Sequence, residues 1–297
     1  MRHVIALDVG GTGMKAALVA ADGTLLHEAR RATGRDRGTE AVIASVLDFA
    51  ADLRAYGADT YGEPAAAAGV AVPGLVDERA GVAVFSANLG WRDLPLRDLL
   101  SRRLDGTPVA LGHDVRSGGL AEGRLGTGRG AERFLFVALG TGIAGAIGIE
   151  GRVEATELGH IVVRPGGAAC GCGQHGCLET IASASGVARA FGAEAAECAA
   201  AVAAGDPRAV AVWDEVVAAL ADGLVTGITL LTPETLIVGG GLAEAGDTLF
   251  APLRAAVEER LTFQKLPLIV PAALGDTAGC LGAGLLAWDL LSLEVTA

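Results

Sequence analysis

The chain has 297 residues, of which 51% are hydrophobic and 20% charged, and its formal net charge is −12 at pH 7. This length and composition predict a folded protein with room for two domains, and they exclude a disordered chain. The negative charge argues against nucleic acid or an anionic membrane surface as a main partner, because both would repel it.

Cysteine usage and hydropathy predict where the protein works. Three of the five cysteines lie in a metal-type pattern, which is typical of a reducing compartment. The long apolar stretches, residues 134–149 and 223–243, are interrupted by glycine or proline and do not read as membrane spans. Residues 1–7 read as a short strand and not as a signal segment. We therefore expect a soluble, cytoplasmic protein.

The beginning of the chain predicts a strand, a glycine turn and a second strand. Residues 3–7 and 16–19 suit buried strands, Asp22-Gly23 is a turn signal, and residues 24–30 suit a third strand. No helix follows the glycines, so this is not a P-loop, but its backbone N–H groups can still meet phosphate oxygens. We predict a phosphate site, with a carboxylate for Mg²⁺ in front of it; a plain tight hairpin is the alternative. The residues assigned to this site are Asp8, Gly10, Gly11, Thr12 and Lys15.

A candidate general base follows a short strand further along the chain. Apolar spacing predicts a helix over residues 39–53, a strand over 66–72 and a helix over 94–104. The strand at 109–111 delivers His113 and Asp114 just before a helix at 116–125. Ligands bind at the carboxyl ends of strands in open α/β sheets, so Asp114 is the candidate base. A helix N-cap is its structural alternative.

The design of the first hairpin is repeated near residue 134. A strand over 134–139, the turn Gly140-Thr141-Gly142 and a strand to 149 indicate an internal duplication, and two such turns across a cleft could clamp a polyphosphate. Helices are predicted over 185–191, 195–203 and 206–231, and a strand over 235–238 ends in Gly239-Gly240-Gly241, where backbone can lie against a flat ligand. We expect an N-terminal domain of residues 1–115, joined by a terminal helix at 277–290, and a larger domain of residues 116–276.

The pattern Cys170-x-Cys172-x4-Cys177, preceded by His160, predicts a metal knuckle. Three thiolates and one imidazole complete a closed tetrahedral zinc shell of the structural kind. His175, inside the loop, is a rival ligand; His160 is favoured because a ligand outside the loop ties it to the body of the protein. Reduced structural cysteines or a redox pair are the alternatives. Glu157 and Glu179, at the two ends, suit hydrogen bonds to sugar hydroxyls unless they are ordinary surface charges.

Over nearly its whole length the chain resembles the ROK family of sugar kinases and related repressors. The most specific motif is the cysteine pattern, which continues into Leu-Glu179. Four other segments fall in the family's order: the first glycine turn, the second glycine turn, Val72-Pro-Gly-Leu-Val-Asp and Asn88-Leu-Gly-Trp. The resemblance implies two actin-like, ribonuclease-H-like α/β domains with the active site in a cleft. It also implies structural Zn²⁺, Mg²⁺ with ATP, and a homodimer or homotetramer that binds a sugar and a nucleotide.

The resemblance also implies residue roles. Asp114 takes the proton from the sugar hydroxyl as the γ-phosphoryl group arrives, and His160 has one ring nitrogen on zinc and the other facing the sugar. ATP lies on the first turn and on Thr141 and Gly142, with the nucleoside near Gly239, Gly240 and Gly241. The implied sugar contacts are Gly74, Asn88, His113, Asp114, Glu157, His160 and Glu179.

The chain departs from the family pattern around the base. The family usually has Asn-Asp-Ala-Asn where this chain has His113-Asp114-Val115-Arg116, so we expect a fixed positive charge from Arg116 and an altered choice of hydroxyls or an anionic substituent. The segment before Glu157 is also shorter than in ATP-dependent glucokinases. The first turn and residues 156–160 are similar to those of polyphosphate-using glucokinases, which lack the zinc cysteines, so ATP is the expected donor.

The expected reaction is ATP-dependent phosphorylation of the 6-OH of glucose. The alternatives are an N-acylhexosamine or fructose as acceptor, polyphosphate as donor, and a sugar-binding protein with impaired catalysis. A family repressor would need a winged-helix domain before the first strand, and the sequence leaves no room for one.

Overall fold

The computed structural model describes residues 1–296, which divide into two compact units. The first unit comprises Met1–Ala121 and the chain from Asp276 onward, and the second comprises Glu122–Gly275. The chain first passes between them within the helix Asp114–Arg124, a few residues after the boundary expected from the sequence.

The first unit contains a mixed main sheet and a small antiparallel sheet. In chain order its elements are β1 (Val4–Val9), β2 (Gly13–Val19), β3 (Leu25–Ala32), α1 (Thr39–Tyr61), β4 (Ala68–Val72), β5 (Leu75–Asp77), β6 (Val82–Ser86), β7 (Trp91–Leu94), α2 (Leu96–Arg103), β8 (Val109–His113) and α3 (Asp114–Arg124). The strand order of the main sheet is β3-β2-β1-β4-β8, with β1 antiparallel to β2 and parallel to β4. The small sheet has the order β5-β6-β7.

The apolar periodicity of the first predicted helix is confirmed. Helix α1 begins at Thr39 as expected, continues to Tyr61, and buries Val42, Val46 and Phe49 in the core of the first unit. These side chains recur at helical spacing, so one face of α1 covers the sheet.

The second unit repeats the sheet of the first. Its elements are β9 (Arg133–Leu139), β10 (Ile143–Ile149), β11 (Arg152–Thr156), α4 (Glu179–Ala182), α5 (Ala184–Phe191), α6 (Ala195–Ala203), α7 (Pro207–Leu231), β12 (Thr235–Gly239), α8 (Asp247–Arg260) and β13 (Leu268–Pro271). The strand order is β11-β10-β9-β12-β13, with β9 antiparallel to β10 and parallel to β12. The order and directions match those of the first sheet, so the predicted duplication and the α/β fold class are confirmed.

Helix α9 (Ala278–Thr296) returns to the first unit and packs on its main sheet. The packing is close at Gly69 in β4, where a Cβ atom would lie 1.8 Å from the carbonyl oxygen of Ala283. Only glycine fits at such a backbone contact.

Several elements are not predicted from the sequence. Strands β5, β6, β7, β11 and β13 are short, and β5 and β11 lie largely exposed, so they lack a strong apolar pattern. Helix α8 contains Pro252, a residue that usually argues against a helix interior. Among residues 1–296, no helix is both long and apolar enough to span a membrane.

Candidate active site

The two sheets carry equivalent glycine turns between their first two strands. In the first unit the Gly10 N–H donates to the Gly13 carbonyl at 3.0 Å, and in the second the Gly140 N–H donates to the Gly142 carbonyl at 2.9 Å. At Gly10 a Cβ atom would lie 2.9 Å from the Gly13 oxygen, which is too close for any side chain. Thr12 and Thr141, at the tips, are exposed.

The first turn is supported by Thr33, a residue that sequence reasoning missed. Its hydroxyl donates to the Gly10 carbonyl at 2.7 Å, and its N–H donates to the Thr12 carbonyl at 3.1 Å. Thr33 is fully buried. It follows strand β3, and a single threonine at a strand end carries no sequence signal for this contact.

Lys15, predicted as a phosphate ligand, is engaged by another residue of the first unit. Its Nζ donates to the Asp276 carbonyl at 2.6 Å and lies 3.5 Å from the Asp276 carboxylate. Arg30 binds the same carboxylate at 2.8 Å. A phosphate at the turn would therefore compete with Asp276 for the Lys15 ammonium.

Asp8 lies at the end of β1, next to the first turn, in an environment that disfavours its charge. Burial and, next, the negative charge of Asp114 raise the pKa of Asp8 from 3.8 to about 6, although the Lys15 ammonium acts in the opposite direction. Helix α9 contributes to this burial, because a Cβ atom at Gly279 would lie 2.6 Å from the Asp8 carboxylate. The first unit thus brings Asp8 and Asp114 into mutual electrostatic range.

Asp114 is the first residue of α3, directly after β8. One carboxylate oxygen accepts a hydrogen bond from the Val115 N–H at 2.7 Å and lies 3.4 Å from His113 Nδ1. The side chain keeps 30% of its surface exposed, so the carboxylate is reachable. An N-cap side chain bonds the N–H two or three residues ahead, whereas this contact reaches only the next residue, so the carboxylate remains available as the predicted base.

Arg116, expected from the sequence to place a fixed positive charge near the base, is paired with a carboxylate of the first unit. Its Nε donates to Glu78 Oε1 at 2.6 Å, and its terminal nitrogen contacts the other carboxylate oxygen of Glu78. The sequence does not reveal this partner, because the carboxylate comes from the loop between β5 and β6, 38 residues earlier.

Gly74 and Asn88, two predicted sugar contacts, lie in the loops around the small sheet. Gly74 has a φ of 100°, and a Cβ atom there would lie 2.2 Å from the Phe85 carbonyl oxygen. Asn88 is exposed and lies over the first turn, with its Cβ 3.5 Å from the position of a Cβ on Gly11. In the first unit, the amide side chain of Asn88 therefore lies beside the first glycine turn.

In the second unit the predicted metal ligands converge. The ligand atoms of His160, Cys170, Cys172 and Cys177 all lie within 4.8 Å of one another, and His175 does not belong to this group of described residues. The Cys172 and Cys177 sulfurs are 3.7 Å apart, and the Cys170 sulfur lies 3.6 Å from His160 Nδ1. Tetrahedral Zn²⁺ would place two sulfurs about 3.8 Å apart and a sulfur and a nitrogen about 3.6 Å apart. The donor set and its spacing fit this ion.

The loop that carries the cysteines is closed by its own backbone and by an ion-pair network. Gly176 has a φ of 78°, and a Cβ atom there would lie 1.7 Å from the carbonyl oxygen of Arg164. The Arg164 guanidinium donates to Glu215 at 2.8 Å and to Asp222 at 2.7 Å, both on α7. The base of the loop is thus attached to α7 by contacts that need no metal.

Glu157 and Glu179 differ in their surroundings. The Glu157 side chain is 85% exposed, and one of its oxygens lies 3.8 Å from His160 Nε2, the ring nitrogen that faces away from the cysteines. Glu179 Oε2 accepts a hydrogen bond from the Ile143 N–H at 2.8 Å. Glu179 therefore joins the end of the cysteine loop to the second glycine turn.

A cavity of about 560 Å³ lies beside the triple glycine of the second unit. Its walls are mostly alanines of α6 together with Trp213, and Gly241, Glu194 and Glu244 also line it. A Cβ atom at Gly240 would lie 2.5 Å from the Leu139 carbonyl oxygen, so the triple glycine is held against the end of β9 where the second turn begins. A mainly apolar pocket with a few polar groups is suited to a flat ligand.

Carboxylates beside amide-lined turns on two sheets of identical topology define the class of protein: a phosphotransferase built from two ribonuclease-H-like units. A family model described as "ROK family" matches residues 4–289. The glucokinase of Thermotoga maritima is 34% identical to this chain, over 94% of this chain and 95% of that protein.

Solved structures agree with this relationship. The ROK hexokinase of Thermus thermophilus has a TM-score of 0.84 and 32% identity, over 98% of this chain and 99% of that one. A ROK family glucokinase of Streptomyces griseus, solved with glucose and AMPPNP, has a TM-score of 0.82 and 29% identity, over 97% and 99%. This chain belongs to the ROK family.

Proposed function

We propose that this protein is an ATP-dependent sugar kinase that transfers the γ-phosphoryl group to the 6-OH of glucose. The observation that carries the proposal is the pair Asp8 and Asp114, which lie within electrostatic range of each other near the first glycine turn. Phosphoryl transfer needs a carboxylate at the acceptor hydroxyl and charge-stabilising groups at the phosphates, and the first unit supplies both. Relatives with the names glucokinase and hexokinase support glucose as the acceptor.

In the first unit the acceptor and the metal-bound phosphates have separate residues. Asp114 accepts the proton of the sugar hydroxyl as the phosphoryl group arrives, and its exposed carboxylate suits this role. Asp8 holds Mg²⁺, which neutralises charge on the phosphates when ATP is bound. The N–H groups of the first turn bind phosphate oxygens, and Gly74, Asn88 and His113 contact the sugar.

The second unit binds the nucleotide. Thr141 and Gly142 form the second phosphate turn, and the cavity beside Gly241 accommodates the adenine and ribose. AMPPNP in the Streptomyces griseus relative supports a nucleoside triphosphate as the donor.

The four metal ligands hold Zn²⁺ as a structural ion. Because His160 uses Nδ1 toward the cysteines, its Nε2 carries the proton and donates to a sugar hydroxyl. Glu157 lies beside that nitrogen, and Glu179 keeps one oxygen for a second hydroxyl. The metal fixes the orientation of the ring and takes no part in the phosphoryl transfer.

The test measures sugar phosphate formed from glucose, mannose, fructose and N-acetylglucosamine, with ATP and with polyphosphate as donors, and it measures ADP release in the ATP reactions. We expect the highest kcat/KM for glucose with ATP. Asp114→Asn should lower kcat by at least about 10³-fold while calorimetry shows glucose binding largely intact. Asp98→Asn, an exposed acid on α2, is the matched control and should behave as wild type. Substantial turnover by Asp114→Asn, or no ADP release with any sugar, would refute the proposal.

A further inference from the structure

The loop between β5 and β6 is fixed rigidly in the first unit. The Arg97 guanidinium, from α2, donates to the Arg79 carbonyl at 2.9 Å and also to the Glu78 carbonyl, and the Arg97 N–H donates to the Gly81 carbonyl at 3.1 Å. Asp77 accepts a hydrogen bond from the Ala80 N–H at 2.8 Å inside the same loop. The backbone that carries the Glu78 side chain is therefore anchored at several points.

The Glu78 carboxylate reaches from this loop to the residues on both sides of Asp114. Its Oε1 accepts from the His113 N–H at 3.1 Å and from Arg116 Nε at 2.6 Å, and its Oε2 contacts the other end of the guanidinium. The two side chains are 16% (Arg116) and 32% (Glu78) exposed. A two-point contact between a guanidinium and a carboxylate is geometrically specific as well as strong.

The position of β8 explains why such a contact matters. It is an edge strand of the main sheet, so within residues 1–296 one side of its backbone has no strand partner. Glu78 supplies the acceptor for the N–H of its last residue, His113. The junction between β8 and α3, where Asp114 lies, is thereby held by a side chain.

We infer that Glu78 and Arg116 form a positioning clamp for the base Asp114, an inference that rests on the proposed kinase function. The clamp has two effects. It fixes the backbone on both sides of Asp114, and it keeps the Arg116 guanidinium, two residues away, from pairing with the Asp114 carboxylate. Both effects preserve a free carboxylate at the place where the acceptor hydroxyl binds.

The test is a double-mutant cycle with Glu78→Gln, Arg116→Gln and the double variant. Glu78→Gln should lower kcat about 30-fold, because a misplaced or neutralised base costs one to two orders of magnitude, and calorimetry should show glucose Kd within about twofold of wild type. The double variant should turn over about tenfold faster than the product of the two single effects predicts, because either single substitution already breaks the contact between Glu78 and Arg116. Asp98, on α2, lines one groove together with Glu78, and Asp98→Asn, which removes a negative charge from that groove but keeps Glu78, should leave kcat unchanged.

Two outcomes would overturn the clamp: a kcat of Glu78→Gln within about twofold of wild type, or purely multiplicative effects in the double variant. If Glu78→Gln does not fold, Glu78→Asp replaces it. This variant keeps the negative charge, but its side chain is one methylene shorter, so the carboxylate no longer reaches His113 and Arg116 in the same geometry. An unchanged kcat in this variant would also contradict the clamp. Hydrogen exchange separates this inference from the proposed function. Faster exchange of the His113 amide in Glu78→Gln supports the contact even if wild type phosphorylates no sugar.

Discussion

The buried carboxylate of Asp8 should make the first unit less stable at neutral pH than it would be with a neutral residue. Its pKa is raised from 3.8 to about 6, first by burial and then by the charge of Asp114, and each pKa unit corresponds to about 1.36 kcal/mol, so the ionised group costs about 3 kcal/mol. The unfolded chain releases this proton near pH 4, whereas the folded protein keeps it up to about pH 6. The free energy of unfolding therefore falls as the pH rises from about 4 to about 6, and above about pH 7 the ionised Asp8 lowers it by the full amount.

Asp8→Asn removes the charge and keeps the shape of the side chain. In EDTA, we expect the variant to be more stable than wild type by about 3 kcal/mol at pH 7.5 and by only about 1 kcal/mol at pH 4.5. The same variant should lose almost all turnover, because it lacks the carboxylate that we propose as the Mg²⁺ ligand. If Asp8→Asn is more stable but inactive, the Asp8 carboxylate is required for activity although it lowers the stability of the folded protein.

Urea unfolding followed by tryptophan fluorescence measures this difference. Trp91 and Trp288 lie in the first unit and Trp213 in the second, so a Trp213→Phe background makes the signal specific for the unit that contains Asp8. Asp59→Asn, at an exposed site on α1, is the control and should change stability little at either pH. A variant that is less stable than wild type at pH 7.5, or a difference that is equal at both pH values, would refute the reasoning.

Three further substitutions test other parts of the structure. Cys172→Ala should release zinc, measured by mass spectrometry, and weaken glucose binding at least tenfold, as loss of ligand orientation typically does (~10–100-fold). Glu122→Gln should cost about 3 kcal/mol in urea unfolding, because fully buried Glu122 accepts the N–H groups of Thr127 at 2.9 Å and Leu274 at 2.8 Å, and an amide offers one acceptor fewer. Thr33→Val should raise the KM for ATP and cost about 1 kcal/mol, because the first turn loses its hydroxyl donor.

The cysteine and glutamate variants each have a matched control. Cys198→Ala, at a buried cysteine on α6 outside the metal cluster, should keep its zinc and its glucose affinity. Glu132→Gln, at an exposed site, should unfold like wild type. Zinc retained by Cys172→Ala, or wild-type stability of Glu122→Gln, would contradict the corresponding argument.

The elements that sequence analysis predicts well are those with a local signal. Each strand–glycine turn–strand hairpin is formed by residues that are close in the sequence, so the pattern of those residues predicts it. The spacing of Cys170, Cys172 and Cys177 predicts in the same way that the three thiols meet in one loop. Both features are found where we expect them. Helix α1 likewise follows from its apolar spacing.

The contacts that sequence analysis misses join residues far apart in the chain. Asp276 binds Lys15 across 261 residues, and no local pattern reveals that this ammonium already has a partner. Glu78 neutralises Arg116 across 38 residues, and its loop connects strands too short to be recognised. Charge in a sequence is visible, but the partner that compensates it is set by tertiary structure.

In the proposed mechanism the general base and the Mg²⁺ ligand belong to the first unit, and the zinc ligands and the nucleotide cavity belong to the second. Asp8, Asp114 and the Glu78 clamp belong to the first unit, whereas the metal cluster with His160 and the cavity beside Gly241 belong to the second. If the proposed roles are correct, substitutions in the first group lower kcat with little change in ligand affinity. Substitutions in the second group raise the KM for sugar or nucleotide, because they remove interactions that are present before the transition state. The two sheets share one topology, so this division arises from the side chains and loops that each unit adds to it.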